Sequence, residues 1–72
     1  MVEKRDLRLI CHVYTEHIRK GVTMCECYHN MLSFFRKALA ERISKGSIGE
    51  ATEIAEAIDK LNELIKEECK GK

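Results

Sequence analysis

The 72-residue chain has no proline, tryptophan or glutamine, and its apolar runs are at most three residues long. A membrane-spanning helix needs about 20 apolar residues, so these runs predict no membrane segment. The first six residues are mainly polar and differ from the apolar core of a secretory signal. We therefore expect a cytoplasmic protein without membrane association.

Its small size and the lack of a glycine-rich phosphate loop argue against an enzyme. A chain of 8.3 kDa buries only about 60% of the surface that it exposes when unfolded. This leaves little room for a substrate pocket, so we predict one domain over residues 1–72 with neither enzymatic activity nor a resident cofactor. Chains of this size usually depend on a disulfide, a metal, a partner or very regular helix packing.

The chain also has little net charge, but its charges are unevenly distributed. Thirteen basic and twelve acidic residues give a net charge of +1, with +4 in residues 1–45 and −3 in residues 46–72. Charged residues make up 35% of the chain and amides are rare, a composition that is typical of hyperthermophile proteins. Intracellular proteins of hyperthermophiles often contain disulfides, so this bias bears on the four cysteines.

Glycines and capping residues divide the chain into three predicted helices. Gly21 and Gly46 each follow basic residues, as expected just beyond a helix end. Capping boxes follow both glycines, in Thr23-Met24-Cys25-Glu26 and Ser47-Ile48-Gly49-Glu50. The fold prediction is all-α, with three antiparallel helices at about 2–20, 24–45 and 48–70 that form a small bundle.

Apolar periodicity predicts a seam that serves either the core or a homodimer. The apolar face of the second helix is wider than one neighbour requires, and the third helix has heptad spacing. We therefore expect homodimerisation to complete the bundle. The predicted seam residues are Tyr28, Met31, Phe35, Ile54, Ile58, Leu61 and Ile65.

Counting residues back from the two turns brings His17, Cys25, Cys27 and Cys69 to one end of the bundle. Three hypotheses fit these residues: buried thiols that pack as small apolar groups, a disulfide from Cys69 to Cys25 or Cys27, or a zinc site. The gap between Cys25 and Cys27 is too short for a zinc knuckle, so zinc is the weakest of the three. The same count places Cys11 several residues further from the turn, in a different layer of the bundle from the other three cysteines.

Two classes of binding function remain open. The segment 16–23 resembles the turn of a helix-turn-helix, in which Arg19 and Lys20 would contact DNA phosphates. The residues that follow, from Met24 to Cys27, are poor readers of base edges. We therefore favour a non-enzymatic adaptor that self-associates through apolar helix faces and presents charged faces to an unknown protein partner. The alternatives are a DNA-binding regulator and a small Cys/His metal-binding protein.

Overall fold

The computed structural model describes residues 2–69, which form three α-helices, a π-helical turn and no strand. Helix α1 spans Lys4–Val13 and continues into the π-helical turn at Tyr14–Ile18, while α2 spans Met24–Ser44 and α3 spans Ile48–Glu68. The all-α prediction is confirmed. The predicted end of the third helix at residue 70 lies outside the described residues, as do positions 1, 71 and 72 of the predicted domain.

The first helix differs from its predicted range because it leaves α-helical geometry after Val13. The amide of Arg19 donates to the carbonyl of Tyr14 at 2.9 Å, which spans five residues instead of four. The Thr15 hydroxyl donates to the His12 carbonyl at 3.1 Å and so competes with the backbone ladder. The helix therefore ends in a widened turn at Ile18 and does not reach residue 20.

The start of α2 has the capping box that the sequence predicts. The Thr23 hydroxyl accepts from the Glu26 amide at 3.1 Å, and the Glu26 carboxylate accepts from the Thr23 amide at 3.2 Å. Before it, Gly21 has a φ of +94°, which L-residues rarely adopt. The glycine lies in the turn after the first helical segment, which ends at Ile18, and the box fixes where the second helix begins.

The start of α3 lacks the capping box that was predicted there. Gly46 has a positive φ of +79°, as a helix-ending glycine should, but the Ser47 side chain caps no amide. The carboxylate of Glu50 instead pairs with Arg42 Nε across the turn at 2.6 Å. The Ser47 amide, from which this carboxylate would accept in a capping box, donates instead to the Arg42 carbonyl at 2.9 Å.

The hydrophobic core lies where α1 covers one end of the α2–α3 pair. It combines residues from all three helices: Leu7, Cys11, Cys27, Tyr28, Leu32, Leu61 and Leu64. Further from α1, the buried side chains of α3 are Ala51 and Ala57. Because alanine is small, it lets α2 and α3 approach closely in this region, where α1 contributes no side chains.

The predicted seam residues fall into two groups. Tyr28 and Leu61 are 0% exposed and belong to the core of this chain. The others are half-buried: Met31, Phe35, Ile54, Ile58 and Ile65. Leu64 was not among the predicted seam residues, yet it is fully buried one position before the heptad residue Ile65. The buried stripe of α3 is rotated toward Leu64 because it shares a core with α1 as well as α2.

Candidate functional site

All four cysteines form disulfides, and both bonds involve the first two turns of α2. The inner disulfide joins Cys11 of α1 to Cys27, and the outer disulfide joins Cys25 to Cys69 just beyond α3. Both pairs have Cα atoms 5.8 Å apart, a usual separation for a disulfide. The sequence left the partner of Cys69 open. The assignment of Cys11 to a different layer was wrong, because this residue bonds to Cys27.

A buried tyrosine connects the three helices beside the outer disulfide. The Tyr28 hydroxyl donates to Glu68 Oε1 at 2.9 Å, and Arg8 Nε donates to Glu68 Oε2 at 2.7 Å. Burial and the Glu68 carboxylate raise the pKa of Tyr28 to about 12, although nearby Arg8 opposes this rise. One carboxylate at the end of α3 thus holds a phenol of α2 and a guanidinium of α1.

Ion pairs at the surface extend the same connection between α1 and α3. Lys4 Nζ lies 2.7 Å from Glu67 Oε2 and 3.4 Å from Glu63 Oε1. These carboxylates raise the pKa of Lys4. Because the side chains are partly solvated, such pairs contribute little to stability individually. Their main effect is to orient α1 along the end of α3.

An apolar groove opens on the opposite side of α1, between this helix and α2. It has a volume of about 460 Å³ and is lined by Ile10, Tyr14, Cys27, Asn30, Met31, Phe34 and Phe35. Tyr14 enters the groove from the first position of the π-helical turn, a type of distortion that is frequent at functional sites. Cys27 places the inner disulfide at the groove, and Cys11 Sγ lies 3.3 Å from Met31 Sδ.

Large apolar side chains protrude along the edges of this groove. Phe34 is 67% exposed and lies against Phe35, with the ring centroids 5.9 Å apart. Ile10 is 54% exposed on the opposite wall. Exposed apolar side chains that line one groove mark an interaction surface more often than isolated exposed residues do.

The metal and nucleic-acid candidates find little geometric support. His17 is exposed in the π-helical turn, and residues 2–69 contain no group of three or more His, Cys, Asp or Glu side chains arranged for a metal. Cysteine binds zinc as a thiolate, so the disulfides would have to be reduced first. Arg19 and Lys20 are exposed at the turn after a π-helical segment. Both alternatives stay predictions.

The groove was not predicted from the sequence, because its two walls come from helices whose relative register was misjudged. Ile10 lies at helical spacing from Leu7 and next to Cys11, yet Ile10 is largely exposed while the other two are buried. The wide apolar face of α2 was a usable signal, since it indicated a second neighbour. In the described chain, part of that face is occupied by α1 and the remainder lines the groove.

Comparison with family models, curated proteins and solved structures gives no match for this chain. None of the helices described within residues 2–69 combines the length and apolarity that a bilayer crossing requires.

Proposed function

We propose that this chain is a non-enzymatic interaction module that forms a homodimer through the apolar groove and presents its charged faces to a protein partner. The observation that carries the proposal is the exposed apolar cluster on α1 and α2, with Phe34 projecting beside an open cleft. A helix surface that remains apolar after its own chain has folded favours association with another surface.

The total surface area supports a second copy as the occupant of the groove. The chain exposes 5293 Å², whereas a compact monomer of 8.3 kDa exposes roughly 4600 Å² by the usual size scaling. The excess of roughly 700 Å² is close to the ~800 Å² that each partner buries in a standard interface. The chain is elongated, with extents of 38 × 25 × 21 Å, and its shape contributes to this excess. The surface is nevertheless large enough for one additional contact of ordinary size.

The shape of the patch favours a twofold arrangement. A twofold interface requires one surface to complement itself, so that each partner supplies both a projection and a cleft. Phe34 provides the projection, and the space between Ile10 and Met31 provides the cleft. We infer that Phe34 of each copy inserts into the groove of the other. This interface uses Met31 and Phe35 of the predicted seam but not Leu61, which is buried in its own core.

The antiparallel arrangement of α2 and α3 also belongs to this proposal. It is supported by contacts at both ends of the pair: the Cys25–Cys69 bond at one end and the Arg42–Glu50 pair at the other.

The segment 48–68 has seven acidic and two basic residues, a net charge of −5. Glu50, Glu63, Glu67 and Glu68 pair with basic residues of α1 and α2. We therefore propose that the exposed carboxylates of Glu53, Glu56 and Asp59 face a protein partner. Cytoplasmic location stays a prediction, and two disulfides are compatible with it mainly in hyperthermophiles.

The experiment that tests the proposal compares two lysine substitutions at equally exposed apolar residues. Phe34 and Ile48 are both 67% exposed, but only Phe34 lines the groove. We expect non-reduced wild-type protein to have twice the 8.3 kDa mass of the chain in light scattering. Phe34→Lys should weaken the dimer by about 30-fold, as loss of a central aromatic contact does.

The control variant Ile48→Lys should remain as dimeric as the wild type, because its position is at the turn between α2 and α3. Circular dichroism checks that both variants keep their helices. A monomeric wild-type protein at all accessible concentrations, or a Phe34→Lys variant that dimerises normally, would contradict the proposed interface.

A further inference from the structure

We propose that the inner disulfide makes the groove redox-sensitive: reducing Cys11–Cys27 abolishes self-association, whereas reducing Cys25–Cys69 does not. This inference rests on the proposed function and adds a form of regulation to the same surface. It follows from the different positions of the two bonds relative to the groove, because one joins its walls and the other lies outside it.

The inner disulfide is the covalent connection between the groove's two walls. Ile10, next to Cys11, belongs to the α1 wall, while Met31 and Phe34 belong to the α2 wall. Within residues 2–69, the ion pairs that α1 makes with other helices reach α3 and not α2. A ten-residue helix is also too short to be stable by itself in water. Without the inner bond, the spacing of the two walls depends on side-chain packing in the shared core and on the connecting segment 14–23, with no covalent or ionic contact between α1 and α2 among residues 2–69.

The outer disulfide connects parts of the chain that do not line the groove. Cys25 lies in the first turn of α2, and Cys69 follows the last residue of α3. Neither residue lines the cleft between α1 and α2. Loss of this bond would release the end of α3 but would leave Cys11 attached to Cys27. The groove should therefore keep its shape when only the outer bond is reduced.

Burial predicts that the two bonds react in a fixed order. Cys25 and Cys69 are half-buried, whereas Cys11 is 0% and Cys27 4% exposed. Thiol–disulfide exchange requires a thiolate to reach a sulfur atom, so access limits the reaction of the inner bond. A dithiol such as dithiothreitol attacks one sulfur, forms a mixed disulfide and releases the other cysteine as a thiolate. Its second thiol then displaces the first cysteine, so the reagent becomes a cyclic disulfide and each reduced bond gains two electrons and two protons.

The test is a dithiothreitol titration of the wild-type protein. At each concentration, light scattering gives the oligomeric state and circular dichroism gives the helix content. Alkylation followed by peptide mass spectrometry identifies the reduced cysteines. We expect Cys25 and Cys69 to become alkylated first while the protein stays dimeric. The dimer should then dissociate in step with alkylation of Cys11 and Cys27, while most of the helix signal is retained.

Three results would overturn the inference. The dimer could dissociate when only the outer bond is reduced, or it could persist after all four cysteines are alkylated. Dissociation that coincides with general loss of the helix signal would show that the inner bond maintains the whole fold and has no selective effect on the groove.

Paired variants provide an independent measurement. Cys25→Ala/Cys69→Ala should remain dimeric, and Cys11→Ala/Cys27→Ala should be a helical monomer under non-reducing conditions. If the second variant fails to fold, the wild-type titration decides. Failure of the proposed function would appear separately, as normal dimerisation of oxidised Phe34→Lys. If Phe34→Lys dissociates while the inner-pair variant folds and dimerises, only the redox inference is wrong.

Discussion

The two ends of the α2–α3 pair are built differently. At the stapled end (residues 24–32 and 61–69), α1 covers the pair, and the core contains large side chains such as Tyr28 and Leu64. At the turn end (residues 38–57), the buried residues are Ala51 and Ala57, and Ile43 and Ile48 remain exposed. The comparison shows that the ten-residue helix α1 can complete the core over only part of the 21-residue helices α2 and α3.

This difference explains where the covalent bonds are placed. A short chain gains limited stability from its core, and here the core occupies one end only. Both disulfides are located at that end and connect all three helices around it. They reinforce the part of the molecule on which the position of α1 depends. The turn end relies on the Arg42–Glu50 pair and on close helix contact.

The largest expected difference between the two ends concerns the apolar core. Leu64→Ala should lower the free energy of unfolding by about 2–5 kcal/mol, because it leaves a cavity among buried residues. Ile43→Ala at the turn end should change it by less than about 0.5 kcal/mol, since Ile43 is 58% exposed. Urea unfolding under non-reducing conditions, at one protein concentration, measures both variants. Equal losses would show that the core is not concentrated at the stapled end.

A smaller effect should distinguish the polar contacts of the stapled end at high pH. The phenol of an unfolded tyrosine loses its proton near pH 10, but Tyr28 keeps its proton in the folded state until about pH 12. The folded state therefore binds more protons between these values, and stability falls as the pH rises from 10 to 12. Tyr28→Phe should be less stable at neutral pH by about 1 kcal/mol, through loss of the Glu68 hydrogen bond.

Thermal unfolding between pH 9 and pH 12 checks the sign of this effect. The wild type should lose more of its melting temperature across the window than Tyr28→Phe does. The carboxylates of Glu67 and Glu63 raise the pKa of Lys4 in both proteins, so the variant serves as the control for that group. Parallel curves for the two proteins would show that the Tyr28 phenol does not contribute.

The smallest expected contrast is between the two helix starts. Thr23→Ala should destabilise the protein by about 1 kcal/mol, because it removes the hydroxyl that accepts from the Glu26 amide. Ser47→Ala should have an effect below about 0.5 kcal/mol, since the Ser47 side chain caps no amide. Urea unfolding of the two variants provides the comparison. A loss at Ser47 as large as that at Thr23 would contradict the observed difference in capping.

Local chemistry made both ends of α2 and the start of α3 predictable, but not the end of the first helix. Gly21 and Gly46 have the positive φ that helix-ending glycines adopt, and Thr23 caps α2 as its spacing with Glu26 predicts. The Ser47 box has the same sequence pattern but does not form, because the Ser47 amide donates to the Arg42 carbonyl and the Glu50 carboxylate pairs with the Arg42 side chain. A local motif therefore predicts local structure only where no other contact competes for its groups.

The pairing of Cys11 was not predictable from spacing alone. Counting at the α-helical rise from the first turn places Cys11 level with about residue 32, whereas it bonds to Cys27. The ten residues between Val13 and Met24 are not α-helical, and they advance the chain less along the bundle than the count assumes. The groove was missed for the same reason, because its walls face each other only in the observed register.

The order of the four cysteines along the chain makes the two covalent loops overlap. The first loop closes between residues 11 and 27, the second between 25 and 69, so they share the segment 25–27. Cleavage of any one peptide bond between Cys11 and Cys69 therefore leaves both fragments covalently joined. A protease that cuts the exposed turn at Arg19 or Lys20 would add the mass of one water and release no peptide. In its oxidised form, this small chain can be nicked once anywhere within that span without being divided.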